Sequence, residues 1–161
     1  MKKMTLGILA PGVVRTSMKK ILKELFKMLE EKSRVLFRLV QRQDGVRQEF
    51  MLFNRATIAK ILGRAGKDTQ KTSDTLQVSD HALNGHHPDV PGPVALVEKA
   101  VELHNDVEKA AIDNSKSNLK VYLRKENCIL TFFCYKVVEK VYTALTTAYV
   151  PDRDKECDIT V

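Results

Sequence analysis

The stretch VRTSMKKILKELFKMLEEKSRVLFRLVQR, residues 14–42, constrains the fold more than any other part of this chain. Wound at about 100° per residue, it separates apolar from charged side chains. Val14, Met18, Ile21, Leu25, Met28, Val35 and Leu39 form one seam in alternating steps of four and three, broken by Lys32. Leu22, Phe26, Leu29, Leu36 and Val40 form a second seam beside it. Two adjacent seams give a wide apolar face, suited to burial in a helical bundle rather than to a narrow coiled-coil stripe. Lys20, Lys23, Lys27, Arg34 and Arg38 line the opposite face, with Glu30 and Glu31 as the acidic breaks.

The far end of this stretch has two readings. In the first, the helix runs to Arg42 and Asp44-Gly45 turns the chain into a second helix. In the second, the helix stops near Ser33 and residues 34–53 make a β-hairpin, because Asp-Gly between apolar arms is a hairpin signal. Leu39 would then face Phe50, Phe37 would face Leu52, Gln41 would face Gln48, and Arg47 would stand opposite Arg42. Both seams continue through Leu36, Leu39 and Val40, which favours the helix.

Further along, Phe50, Phe53, Ile58, Ile61 and Leu62 lead to Gly63, with Asn54 placed to cap a helix and Gly63 to end it. Residues 64–93 are rich in Ser, Thr, Asp and Gly and close on three prolines, which predicts a long mobile loop. Within it, Ser79 is placed to cap a single turn, SDHALNG. Pro93 then opens a helix whose seam is Leu96, Ala100, Leu103, Val107 and Ala111, with His104 beside it. Leu119, Leu123, Leu130, Cys134, Val137, Val141 and Leu145 predict a last helix over 118–148. Pro151 ends it, and residues 151–161 are expected to fray. The expectation is an all-α bundle of about four helices in a single domain, 1–161, with the long loop between the second and third; the alternative is α+β with the hairpin at 34–53. A chain of 161 residues buries roughly 70% of its unfolded surface, enough for a core without disulfides or metal.

Charge is distributed unevenly. Residues 1–72 carry 17 Lys and Arg against 6 Asp and Glu, a surplus of eleven, whereas residues 73–161 carry 10 against 14. Such asymmetry points to an acidic partner, either nucleic acid or an acidic protein surface, unless the two halves neutralise each other. Lys20, Lys23, Lys27, Arg34, Arg38, Arg42, Lys60, Arg64 and Lys67 are the candidate nucleic-acid-binding residues. Few aromatics are available to stack bases, so backbone or shape recognition is expected.

Other chemistries find weaker support. GRAGKDT, Gly63 to Thr69, lacks the first glycine and the hydroxyl of a phosphate-binding loop. ATIAKILG resembles the first half of a helix-turn-helix, but the apolar anchors of a second half are missing. His81, His86 and His87, near Asp89, match no zinc spacing, so no metal and no cofactor is expected. Cys128 and Cys134 fall in apolar sequence without a neighbouring histidine, which makes them core thiols rather than nucleophiles. With Cys157 they form an odd set without a disulfide framework, and a reducing compartment, cytoplasmic or nuclear, is expected. Residues 128–150 are apolar but carry Lys136, Glu139 and Lys140, against a membrane span of about 20 uncharged residues. Pro11 and Gly12 interrupt the only run that resembles a secretory signal. The functional expectation is a non-enzymatic helical module that binds nucleic acid through basic residues in 15–71. A helical adaptor or homo-oligomer for protein–protein contact, or a peripheral binder of anionic membranes, is the alternative.

Overall fold

From Cys128 to Tyr149 the chain is dense in β-branched and aromatic residues, the types that fit a pleated, half-buried surface. They form strands. The computed structural model describes residues 3–10, 13–14, 34–41, 47–53, 55–64, 66, 73–84, 89–137, 140–152 and 156–161. In chain order its elements are β1 (Lys3–Ala10), β2 (Val13–Val14), β3 (Arg34–Gln41), β4 (Arg47–Phe53), α1 (Arg55–Arg64), β5 (Leu76–Ser79), α2 (Asp80–Asn84), α3 (Pro93–Asp113), β6 (Asn118–Leu123), β7 (Cys128–Val137), β8 (Lys140–Tyr149) and β9 (Ile159–Thr160).

The architecture is mixed α/β, and the expected all-α bundle is overturned. The strands run in the order β2-β1-β3-β4-β5-β8-β7-β6-β9. The five from β5 to β9 carry the described core. There β6, β7 and β8 form an antiparallel meander, and β5 lies parallel to β8. A parallel neighbour requires a crossover. Here it is α2 and α3, which carry the chain from β5 back over the sheet.

The helix from Pro93 forms as expected. Gly92 precedes it in extended conformation and Pro93 supplies the pre-set first turn. Leu96, Val97, Ala100, Leu103, His104, Val107 and Ala111 are its buried positions, at the three-and-four spacing of one helix face. The Asn114 side-chain amide donates to the Ala110 carbonyl at 2.9 Å and ends the helix. Beneath it lie Leu119, Val121 and Leu123 of β6, Cys128, Leu130, Phe132 and Cys134 of β7, and Val141 and Leu145 of β8. Ile58 and Leu62 of α1 join the same core. Each fully buried Leu, Val or Phe there contributes about 1.5–3 kcal/mol.

The helix expected over 118–148 fails for a simple reason. Leu119 and Leu123, Leu130 and Cys134, and Val141 and Leu145 are each four residues apart. Four residues are a little over one helical turn, but they are also two full strand periods, so such pairs share a face in either structure. The same ambiguity applies to Val35 and Leu39, and to Leu36 and Val40. Residues 34–41 are strand, and residues 15–33 of the expected first helix lie outside the described residues.

Strands β3 and β4 form the antiparallel hairpin, in a register two residues from the one Asp44-Gly45 implied. Phe37 pairs with Phe50, Leu39 with Gln48 and Val40 with Arg47. Residues 64–93 hold β5 and α2. All four β5 residues are buried, and Ser79 caps α2 by accepting the Ala82 N–H at 3.1 Å. Within 151–161, β9 pairs with β6 in parallel, and Asp158 receives the Lys120 N–H at 2.8 Å and an ion pair from Lys116. Among the described residues no helix is long and apolar enough to cross a membrane.

Candidate nucleic-acid interface

Of the nine basic residues singled out from sequence, Arg34 and Arg38 lie on β3, Lys60 is exposed on α1, and Arg64 is the last residue of α1. Lys20, Lys23, Lys27, Arg42 and Lys67 lie outside the described residues. The basic line expected along a helix is therefore, where it is described, carried by a hairpin. Its register sets Arg34 opposite Phe53, Arg38 opposite Glu49 and Arg47 opposite Val40. Lys3 of β1 pairs with Leu36. With a period of two, Lys3, Arg34, Arg38 and Arg47 belong to one face of the sheet, with Glu49 among them. Phe53 pairs with Val78, and Val78 with Leu145, so this is the face that bears α3.

The other face of β6–β8 is different in kind. In β6, Asn118 and Lys120 are exposed and Tyr122 half-buried, alternating with buried Leu119, Val121 and Leu123. Tyr122 pairs with Ile129, and Ile129 with Tyr149, which makes one row across three strands. Both tyrosines are half-buried, while Ile129 between them is 2% exposed. The next row is Lys120, Thr131 and Thr147. The Tyr122 hydroxyl donates to Asn127 Oδ1 at 2.8 Å, which fixes its ring at the head of the β6–β7 turn.

A β-bulge lies under this region. Thr131 pairs with Thr147, but Phe132 pairs with Leu145, so Thr146 is the extra residue. Thr146 Oγ1 lies 2.8 Å from Thr131 Oγ1 and also donates to the Thr131 carbonyl at 3.1 Å. Ser79 Oγ donates to the Thr146 carbonyl at 2.7 Å. Thr147 Oγ1 is buried and has no hydrogen-bond partner among the described residues.

Toward its far end the same face closes. Phe133 and Tyr135 are 1% and 0% exposed, and the backbones of β1 and β2 lie against β7. Tyr135 donates to Gln77 Oε1 at 2.5 Å and stacks on Tyr142, with ring centroids 5.5 Å apart. Burial pushes the Tyr135 hydroxyl well above its ordinary range, outweighing the Gln77 hydrogen bond, so it stays protonated.

Among the described residues, the remaining polar groups are placed as follows. His104 Nε2 is 3.5 Å from Thr75 Oγ1 and 3.9 Å from Glu108 Oε2, so both neighbours meet the same ring nitrogen. A hydrolytic relay needs them on opposite nitrogens. Burial pushes the Cys128 thiol up to about 11 and the Cys134 thiol up to about 12, which leaves both as unreactive thiols. His81 is exposed on α2, and His86 and His87 lie outside the described residues. Among the described residues no group of three or more His, Cys, Asp or Glu side chains could hold a metal ion.

Sequence reasoning missed Tyr122, Tyr149, Lys120, Thr131 and Thr147 as a set, because a helix would have scattered them. The signal was present in NLKVYL, residues 118–123, which alternates polar and apolar at the strand period. Comparisons with protein-family models, with curated proteins and with solved structures find no match to this chain.

Proposed function

We propose that this chain is a nucleic-acid-binding module that acts through its basic first half. The observation that supports the reading is the surplus of eleven positive charges in residues 1–72, together with the β3–β4 register that gathers Arg34, Arg38 and Arg47 on one face. A polyanion is the natural partner of such a concentration, and guanidinium groups hold phosphate oxygens in bidentate fashion. Recognition is of the backbone, so binding is strong at low salt and tolerant of sequence. Cys128, Cys134 and Cys157 form no disulfide, which fits a reducing compartment, cytoplasmic or nuclear.

Fluorescence anisotropy with labelled duplex RNA, duplex DNA and single strands, over a salt series, tests this. The expected result is binding that weakens steeply with salt. Arg34→Gln with Arg38→Gln is the informative variant, since Glu at position 38 would stand opposite Glu49. Losing two phosphate contacts lowers the log–log salt slope by about 1.5–2. No binding at low salt overturns the proposal and turns the search toward an acidic protein surface.

A further inference from the structure

We infer that the edge of β6 is a strand-accepting site whose partner is a second copy of this chain: residues 156–161 exchange between two copies, so that β9 of each pairs with β6 of the other. This goes beyond the proposed function and does not depend on it.

The segment is held by bonds that an identical segment from another copy can make. The Asp158 N–H donates to the Lys120 carbonyl and the Val161 N–H to the Tyr122 carbonyl, each at 2.9 Å, and the Arg124 N–H donates to the Val161 carbonyl at 2.8 Å. These are main-chain bonds, the means by which an extended peptide adds a strand to a sheet edge. One side chain sets the register. Asp158 accepts the Lys120 N–H at 2.8 Å through Oδ2 and the Lys116 ammonium at 2.5 Å through Oδ1. Ile159, the next residue, packs against the core. An acid followed by an apolar residue is therefore what this edge selects, and the chain's own segment carries both.

The hold is slight. β9 is a two-residue strand at the end of the sheet order, and the Lys116–Asp158 pair lies at the surface. Such an element belongs to the low-stability end of a fold, where local opening is easiest. Opening bares the edge of β6, and a bare edge recruits another strand. The link is long enough to deliver one. β9 stands three strand positions from β8, a lateral separation of about 14 Å. The nine linking residues, 150–158, reach about 30 Å when extended, roughly twice that separation. Val150 and Val161, at the two ends of the segment, are two of the three exposed large apolar side chains among the described residues. In an exchanged pair the two links run side by side and can cover them. Because the strand bonds are the same within one copy and between two, concentration sets the balance. A short tether holds its own segment at an effective concentration in the millimolar range, so the chain is monomeric when dilute and exchanges when crowded.

The test divides the anchor charges between copies. Lys116→Asp in one copy and Asp158→Lys in another each set like charges against each other within that copy. When each segment lies on the other copy, both pairs are opposite in sign again. The Lys116→Asp copy is isotope-labelled, and hydrogen exchange at its Val161 amide is read together with the mass from light scattering, at a few hundred micromolar. Alone, each variant is expected to be monomeric, with Val161 exchanging faster than in the native chain. Mixed in equal amounts, they should form dimers, and the labelled Val161 amide should slow by roughly fivefold or more. A chain carrying both changes restores the pair within one copy and should match the native chain, which shows that neither change unfolds it. The native chain should itself dimerise toward millimolar concentration. A mixture that stays monomeric with Val161 unslowed overturns the exchange, as does a native chain still monomeric at millimolar concentration. Native protection of Val161 in both single variants overturns the role of the anchor on which the exchange is built.

Discussion

The two faces of β6, β7 and β8 come from the same three stretches of sequence, yet they do different things. Under α3 the strands present Leu119, Val121, Leu123, Leu130, Phe132 and Leu145, all buried in one continuous core. On the reverse they present Lys120, Tyr122, Thr131, Thr147 and Tyr149, half-buried or exposed, with one buried hydroxyl, Thr147 Oγ1, that has no hydrogen-bond partner among the described residues. One face is closed by a helix that fits it. On the other, Ile129 between the two tyrosines is buried as well, as are Phe133 and Tyr135 toward the far end, where Tyr135 and Gln77 satisfy each other. In this sheet the period of two lets a strand specify its core and present polar and aromatic groups independently.

This contrast is open to direct perturbation. The largest effect is expected beneath α3: Phe132→Ala removes a side chain 1% exposed and should cost about 3–5 kcal/mol in urea denaturation. Tyr122→Ala on the reverse should cost clearly less, and equal costs would break the contrast. At the closed end, Tyr135→Phe takes from Gln77 Oε1 the phenolic donor and should cost about 1–3 kcal/mol, which a matched denaturation series would show. Thr147→Val is expected to act in the opposite direction. It replaces a buried hydroxyl that has no partner among the described residues by a methyl of the same shape and should stabilise the chain by about 1 kcal/mol, seen as a rise in melting temperature of about 2–4 °C.

The smallest effect concerns the pairing of β9. Burial alone would raise the Asp158 carboxyl, but the Lys116 hydrogen bond and charge and the Lys120 N–H together bring it below the ordinary 3.8. A carboxyl depressed in the folded chain stabilises it above the unfolded pKa, and that stabilisation is lost as pH falls through the folded value. Hydrogen exchange at the Asp158 and Val161 amides, which donate to the Lys120 and Tyr122 carbonyls, should therefore stay slow down to the usual carboxylate range and quicken only below it. Asp158→Asn should abolish that acid step and cost about 1 kcal/mol or less at neutral pH, since the pair is at the surface.

How much of this was legible in the sequence depends on which spacing carried the signal. The helix from Pro93 was readable because its buried positions mix steps of three and four, and only a helix aligns those. The strands over 118–149 were hidden because the most apolar residues stood four apart, and four fits both periods. The decisive residues were the intervening ones, Val121, Phe132 and Thr143, buried where a helix would have turned them away. Strand β5 was hidden by its brevity and by Gln77 and Ser79, polar residues buried through hydrogen bonds to Tyr135 and Thr146 that no local pattern reveals. The candidate basic residues were legible as charge. Their placement was not, because it depends on a hairpin register that Asp44-Gly45 alone sets two residues away.

The most direct test of a sheet whose reverse face closes toward Tyr135 uses the chain's own tyrosines. The chain has four, Tyr122, Tyr135, Tyr142 and Tyr149, and no tryptophan. With ring-labelled tyrosine, NMR over a rising pH series follows all four sites at once. The account predicts that Tyr135, fully buried and bonded to Gln77, keeps its proton and its resonance position beyond the range in which an ordinary phenol titrates. A Tyr135 that titrates as an ordinary phenol while the chain stays folded would contradict it.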